Sequence, residues 1–161
     1  MTENKNVLFV CTGNLCRSPM AEHLFRRSVG ENSPWTAESA GLSAVDGLAA
    51  SQTAIAVMDE AGLDLRPHRS RELTKEIIDA ATIILVMTNA QAMEVKRRFP
   101  RARDRVHLLG SFNPAARGTA AGEKEISDPI GAGLEVYRRT RNNIDKSIGG
   151  LIEYLKSFQE K

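Results

Sequence analysis

Cysteine is scarce, with only Cys11 and Cys16 in 161 residues. Two thiols make no disulfide framework. A zinc site would need further ligands at suitable spacing, which the scattered His23, His68 and His107 do not supply. No metal is therefore expected. Aromatics amount to 5%, and within the basic run of residues 96–105 none interleaves beyond Phe99 to stack on nucleic-acid bases. The longest apolar run, residues 82–87, falls far short of the roughly 18 residues of a membrane span, and residues 1–6 do not open a secretory signal. These absences lead us to expect a cytoplasmic protein without a membrane partner. A strong charge bias is missing too: 22 basic against 20 acidic residues give +2, too mild to imply nucleic-acid binding. The imbalance is local, since residues 96–105 hold six cations against Asp104, a run that reads as a solvated helix end and loop.

What the chain does have is an ordinary globular composition, 42% hydrophobic and 26% charged, at a length that suits one domain over 1–161. No repeat, low-complexity tract or linker divides it. Short apolar runs alternate with helical periods. Residues 6–11 read as a buried strand, and Ala21, Leu24, Phe25 and Val29 as a helix face ending at Gly30, with Ser18 as cap and Pro19 in the first turn. A strand is expected over 35–39, a helix from about residue 50 to 61 stopped by Gly62, and a short helix after Thr74. A second buried strand covers 82–87, and Thr88 with Gln91 forms a capping box. A last strand covers 105–109. In the final helix Leu134, Tyr137, Ile144, Ile148, Leu151, Leu155 and Phe158 share a face, and Gly149-Gly150 weakens its middle by about 1 kcal/mol per glycine. Strands alternating with helices predict a parallel sheet covered on both faces, with ligands beyond the carboxyl ends of its strands. Residues 110–131 lack periodicity, and a loop of that length in a compact domain is usually functional.

The first strand runs directly into Cys11-Thr12-Gly13-Asn14-Leu15-Cys16-Arg17-Ser18-Pro19. A strand, a tight glycine-containing loop and a helix start make an anion nest. Arg17 offers a planar fork to two phosphate oxygens, while the Cys11 thiolate is positioned for in-line attack. A helix N-terminus, a guanidinium and backbone N–H groups all favour the thiolate form, and Ser18 can donate to it. With 15 arginines in the chain, an Arg six places after a given Cys arises by chance about 9% of the time; requiring Ser or Thr next leaves about 1%. The flanking strand and Pro-started helix narrow it again.

Residues 11–19 resemble the phosphate loop of the low-molecular-weight protein phosphatase family at every position its motif specifies. The likeness runs through nearly the whole chain: Ser39-Ala40-Gly41, His68 ahead of Glu72-Leu73-Thr74, Leu108-Leu109-Gly110-Ser111 and Asp128-Pro129 follow in the family's order. The resemblance implies a flavodoxin-like open sheet of four parallel strands with helices on both faces, no metal and no cofactor. It implies hydrolysis of a phosphorylated protein or peptide in two steps through a phosphocysteine, by a monomer or weak dimer. Cys11 would be the nucleophile and Asp128 the general acid. Arg17 would bind the transition state together with the loop residues Thr12, Gly13, Asn14, Leu15 and Cys16 and with Ser18. Asn14, Ser39 and His68 would support the loop. Cys16 either forms a protective disulfide with oxidised Cys11 or simply packs beneath the loop.

Two cues bear on substrate. The family's phosphotyrosine enzymes usually carry a branched aliphatic residue where Leu15 stands, and its phosphoarginine enzymes carry Thr. Many tyrosine enzymes also place an aromatic after the Asp-Pro pair, whereas Ile130-Gly131 stands here, in a stretch closer to the phosphoarginine branch. Leu15 lies in the loop itself and would crowd a guanidinium, so phosphotyrosine is the main expectation and phosphoarginine the alternative. Thioredoxin-coupled arsenate reduction would need cysteines after Cys16, and there are none. A phosphopeptide-binding module without turnover would need neither a thiolate nor an acid.

Overall fold

In the computed structural model, which describes residues 5–118 and 124–159, the first apolar run becomes β1 (Lys5–Cys11), buried beyond its first residue. β2 (Trp35–Gly41) pairs with it from Lys5 opposite Trp35 to Cys11 opposite Gly41. β3 (Ile83–Val86) pairs on its other side, and β4 (Val106–Leu108) extends the sheet from β3. All pairings are parallel, in the order β2-β1-β3-β4. The fold is therefore flavodoxin-like, and the order switches between β1 and β3, which opens a crevice beyond Cys11.

Period-two alternation sorts the strand side chains into two cores. Val7, Phe9 and Cys11 of β1, with Ile83 and Leu85 of β3, face three helices: α1 (Arg17–Val29), α2 (Gln52–Glu60) and α5 (Leu134–Gln159). Leu8, Val10, Ile84 and Val86 face α3 (Lys75–Ala80) and α4 (Asn89–Arg98) on the opposite side. Helix starts follow their caps: Ser51 accepts from Ala54 N–H, Thr74 from Ile77 N–H, and Thr88 with Gln91 closes a complete capping box. Among the described residues no helix is long and apolar enough to cross a membrane.

Four expectations need correction. Ser18 does not cap α1; the cap position is Cys16, no side chain bonds there, and the Ser18 hydroxyl turns toward Cys11 instead. The inward face of α5 is Tyr137, Ile144, Ile148, Leu151 and Leu155, while Leu134 and Phe158 are exposed. At 26 residues the helix runs about 39 Å, and it overshoots seven-residue strands of about 23 Å. Residues 110–131 are not featureless: short 3₁₀ turns cover Leu109–Phe112 and Pro114–Ala116, and the expected loop's residues 119–123 lie outside the described residues. The basic run is not wholly solvated either. It ends α4 and continues as the 3₁₀ turn Pro100–Arg105, from which Arg105 donates to the carbonyls of Ile78 and Ala81, while Arg98 donates to the carbonyl of Leu42.

Candidate active site

Between β1 and α1 the backbone turns through residues 12–16, and Asn14 adopts a left-handed φ of 59°, the one positive value at a non-glycine residue among the described residues. Such a conformation costs a non-glycine residue about 1–3 kcal/mol and persists only where surroundings enforce it. The Asn14 side chain, wholly buried, donates to Ser18 Oγ at 2.8 Å and Ser39 Oγ at 3.0 Å, and accepts from Arg71 N–H at 3.0 Å. Its carbonyl lies 2.7 Å from His68 Nε2. Burial pushes the His68 imidazole below its ordinary value, so the neutral ring donates from Nε2 to that carbonyl. Ser39 in turn donates to the buried Glu22 at 2.6 Å, which pairs with Arg26 at 2.6 Å.

Carbonyl orientation gives the loop its polarity. The oxygens of Cys11, Thr12 and Leu15 accept from the amides of Leu42, Ser43 and Ser51, that of Asn14 faces His68, and that of Cys16 accepts from Met20 within α1. With the acceptors engaged outward, the peptide N–H groups are left for the concave side. The first N–H groups of α1 have neither a side-chain cap nor an acidic residue beside them. The result is an anion nest. Gly41 makes the close approach possible, since a Cβ there would stand 2.7 Å from the Thr12 oxygen and 3.0 Å from the Asn14 nitrogen.

Cys11 is buried at the base of this nest. Its Sγ lies 2.9 Å from Ser18 Oγ and accepts from Asn14 N–H at 3.3 Å. Arg17, also buried, donates to the Ile126 carbonyl at 2.8 Å and faces Asp128 at 3.5 Å. A carboxylate 111 residues away is thus brought to the loop's arginine, and Asp128 remains half-exposed, with Oδ1 accepting from Ile130 N–H. Leu15 sits half-buried against the α1/α5 core. The Cys16 Sγ bonds Ser51 Oγ and Tyr137 OH, each at 3.3 Å, and burial pushes its thiol up.

The structure therefore brings together Cys11 to Ser18, Ser39, His68 and Asp128. Sequence reasoning assigned no role at the loop to Glu22 or Arg71, and had only partial signals for Gly41 and Gln91. Gln91 stood out only as a helix cap, yet its amide also donates to Thr12 Oγ1 at 3.1 Å and ties α4 to the loop. Gly41 was already visible in Ser39-Ala40-Gly41, although its contact with the loop depends on strand register. Among the described residues no group of three His, Cys, Asp or Glu is placed to hold a metal ion.

Comparison with known proteins agrees with this geometry. The chain is 39% identical over 153 residues to a protein-arginine-phosphatase of Geobacillus stearothermophilus, covering 95% of this chain and 97% of the relative. It is 41% identical over 154 residues to a probable low molecular weight protein-tyrosine-phosphatase of Ralstonia solanacearum, covering 96% and 98%. The crystal structure of a low molecular weight protein tyrosine phosphatase from T. tengcongensis superposes with a TM-score of 0.83 at 36% identity, covering 93% of this chain and 99% of that one. A family model described as low molecular weight phosphotyrosine protein phosphatase matches residues 6–161. With the loop, its supports and the opposing carboxylate all in place, the chain belongs to the low molecular weight phosphotyrosine protein phosphatase family.

Proposed function

We propose that this protein hydrolyses phosphotyrosine in phosphorylated proteins, with Cys11 as nucleophile, Arg17 and the loop N–H groups as phosphate ligands, and Asp128 as the proton donor. The observation that carries the reading is Arg17 reaching from the thiol's own loop to Asp128 at 3.5 Å. That arrangement supports a phosphoryl group seated between a sulfur below and a carboxyl above. In the first step the thiolate attacks phosphorus, an S–P bond forms, and the P–O bond to the tyrosine breaks. Protonated Asp128 gives its proton to the departing oxygen. In the second step Asp128 takes a proton from water, the oxygen attacks phosphorus, and the S–P bond breaks to free phosphate and restore the thiolate. Arg17 and the N–H groups act where negative charge builds on the equatorial oxygens.

Leu15 supports phosphotyrosine, because its side chain adds apolar bulk beside the nest. Phosphoarginine is the second reading, favoured by the exposed Ile130 after Asp128-Pro129, where a ring-stacking aromatic would stand, and by the 39% identity to a protein-arginine-phosphatase. Matched phosphotyrosine and phosphoarginine peptides, assayed for phosphate release with Cys11→Ser alongside, decide between them. Turnover that vanishes in Cys11→Ser, with a higher kcat/KM for phosphotyrosine, is the expected result. Binding of both peptides without release from either would make the domain a phosphopeptide-binding module.

A further inference from the structure

The basic run at the end of α4 has one member that turns toward the site. Arg98 Nε donates to Glu94 Oε1 at 2.7 Å and Nη1 to the Leu42 carbonyl at 2.8 Å, while Nη2 has no protein partner among the described residues. Leu42 follows Gly41 directly, and its N–H is the group that donates to the Cys11 carbonyl. The guanidinium is thus fixed against the outer wall of the phosphate loop. It lines a cavity of about 480 Å³ whose other walls include Thr12, Arg17 and Asp128. One continuous cleft therefore joins the phosphate site to Arg98.

Arg17 and Arg98 line this cleft together with Glu94 and Asp128. The Glu94 carboxylate is occupied: Oε1 accepts from Arg97 and Arg98 and Oε2 accepts from Arg97. Arg97, which does not line the cleft, shares the Glu94 carboxylate with Arg98, so Glu94 is neutralised from outside and Arg98 keeps the positive surplus on this wall. Asp128 faces Arg17 at the other end. Nη2 has no protein partner among the described residues, so a side-chain carboxylate entering the cleft could pair with Arg98 without breaking an existing bond.

Resting on the phosphoprotein phosphatase reading above, we propose that Arg98 is a specificity-determining residue that accepts an acidic side chain adjacent in sequence to the phosphorylated residue of the substrate.

The test uses the full chain and a set of phosphopeptides, on whichever phosphoresidue is turned over, that differ only in Glu, Ala or Lys at the positions flanking it. For a half-exposed ion pair the expected kcat/KM is up to about fivefold higher for Glu than for Ala and lower again for Lys, and the spread should shrink as salt is raised. In Arg98→Ala the Glu-to-Lys ratio should fall toward one, and in Arg98→Lys part of it should return. Because the readout is a ratio within each variant, a general disturbance of the loop through the lost Leu42 bond does not mimic it. Equal rates on the Glu and Lys peptides in the unmodified enzyme, or a ratio unchanged in Arg98→Ala, would overturn the assignment. Failure to hydrolyse any peptide and p-nitrophenyl phosphate alike would instead overturn the phosphatase reading beneath it.

Discussion

The Nε2 of His68 lies 2.7 Å from the carbonyl oxygen of Asn14, the residue held at a left-handed φ of 59°. That contact joins the loop after α2 to the most strained peptide of the phosphate loop. Asn14→Ala removes the side-chain bonds to Ser18, Ser39 and the Arg71 amide while keeping a Cβ in the disfavoured region. We expect destabilisation by about 1–3 kcal/mol and a fall in kcat/KM, whereas Asn14→Gly keeps the turn and recovers part of the stability but not the activity. Denaturant melts beside kinetics separate the two; equal activity in Asn14→Gly and the unmodified protein would remove the side chain from the positioning role.

Burial lowers the folded-state pKa of His68 and His107 below the ordinary histidine value. The unfolded chain therefore binds more protons than the folded one in the window between the two values. The stability involved is fully present above the unfolded value of about 6.5 and is lost as pH falls through the folded values. A thermal melting series from pH 8 to 5 should show this decline, and His68→Gln should flatten part of it. A melting temperature that rises on acidification over that range would contradict the burial.

Asp128→Ala should lower kcat by about 10²- to 10⁴-fold on a phosphotyrosine peptide. The loss should be smaller on p-nitrophenyl phosphate, whose leaving group needs less help from an acid. Equal losses on both substrates would point to a binding role for Asp128 rather than proton transfer.

The Cys16 thiol is held by Ser51 and Tyr137 in the reduced protein. Peroxide converts the Cys11 thiolate to a sulfenic acid, and attack by the Cys16 thiol would form a disulfide with loss of water. The unmodified enzyme should regain its activity with reductant, and Cys16→Ser should recover less. Full recovery in Cys16→Ser would leave Cys16 as packing beneath the loop.

The adjacent glycines of α5 should respond in opposite directions. A Cβ on Gly150 would overlap the Phe112 carbonyl oxygen, whereas one on exposed Gly149 meets nothing within 4 Å. Gly149→Ala should therefore stabilise the protein by about 0.5–1 kcal/mol, and Gly150→Ala should destabilise it, read as denaturation midpoints.

The sequence alone determined the main strands and helices and the candidate loop. Contiguous apolar runs made β1 and β3, and Thr88 with Gln91 fixed the start of α4. The Cys11-to-Pro19 motif, with the chemistry proposed for it, is legible within nine consecutive residues. Local patterns suffice there because strand burial, helix capping and a phosphate loop depend on neighbours in the chain. Tertiary structure decided what depends on register and crossing. It set Asp128 against Arg17, turned Ser18 from a helix cap into a partner for the Cys11 sulfur, and gave Gln91 a second role on Thr12. The purpose of Gly150 was equally hidden: a helix-weakening residue in the sequence is, in the fold, the point where α5 meets the Phe112 carbonyl. These relationships join residues tens of positions apart, and no local periodicity encodes a distance that only the packing of helices on the sheet creates.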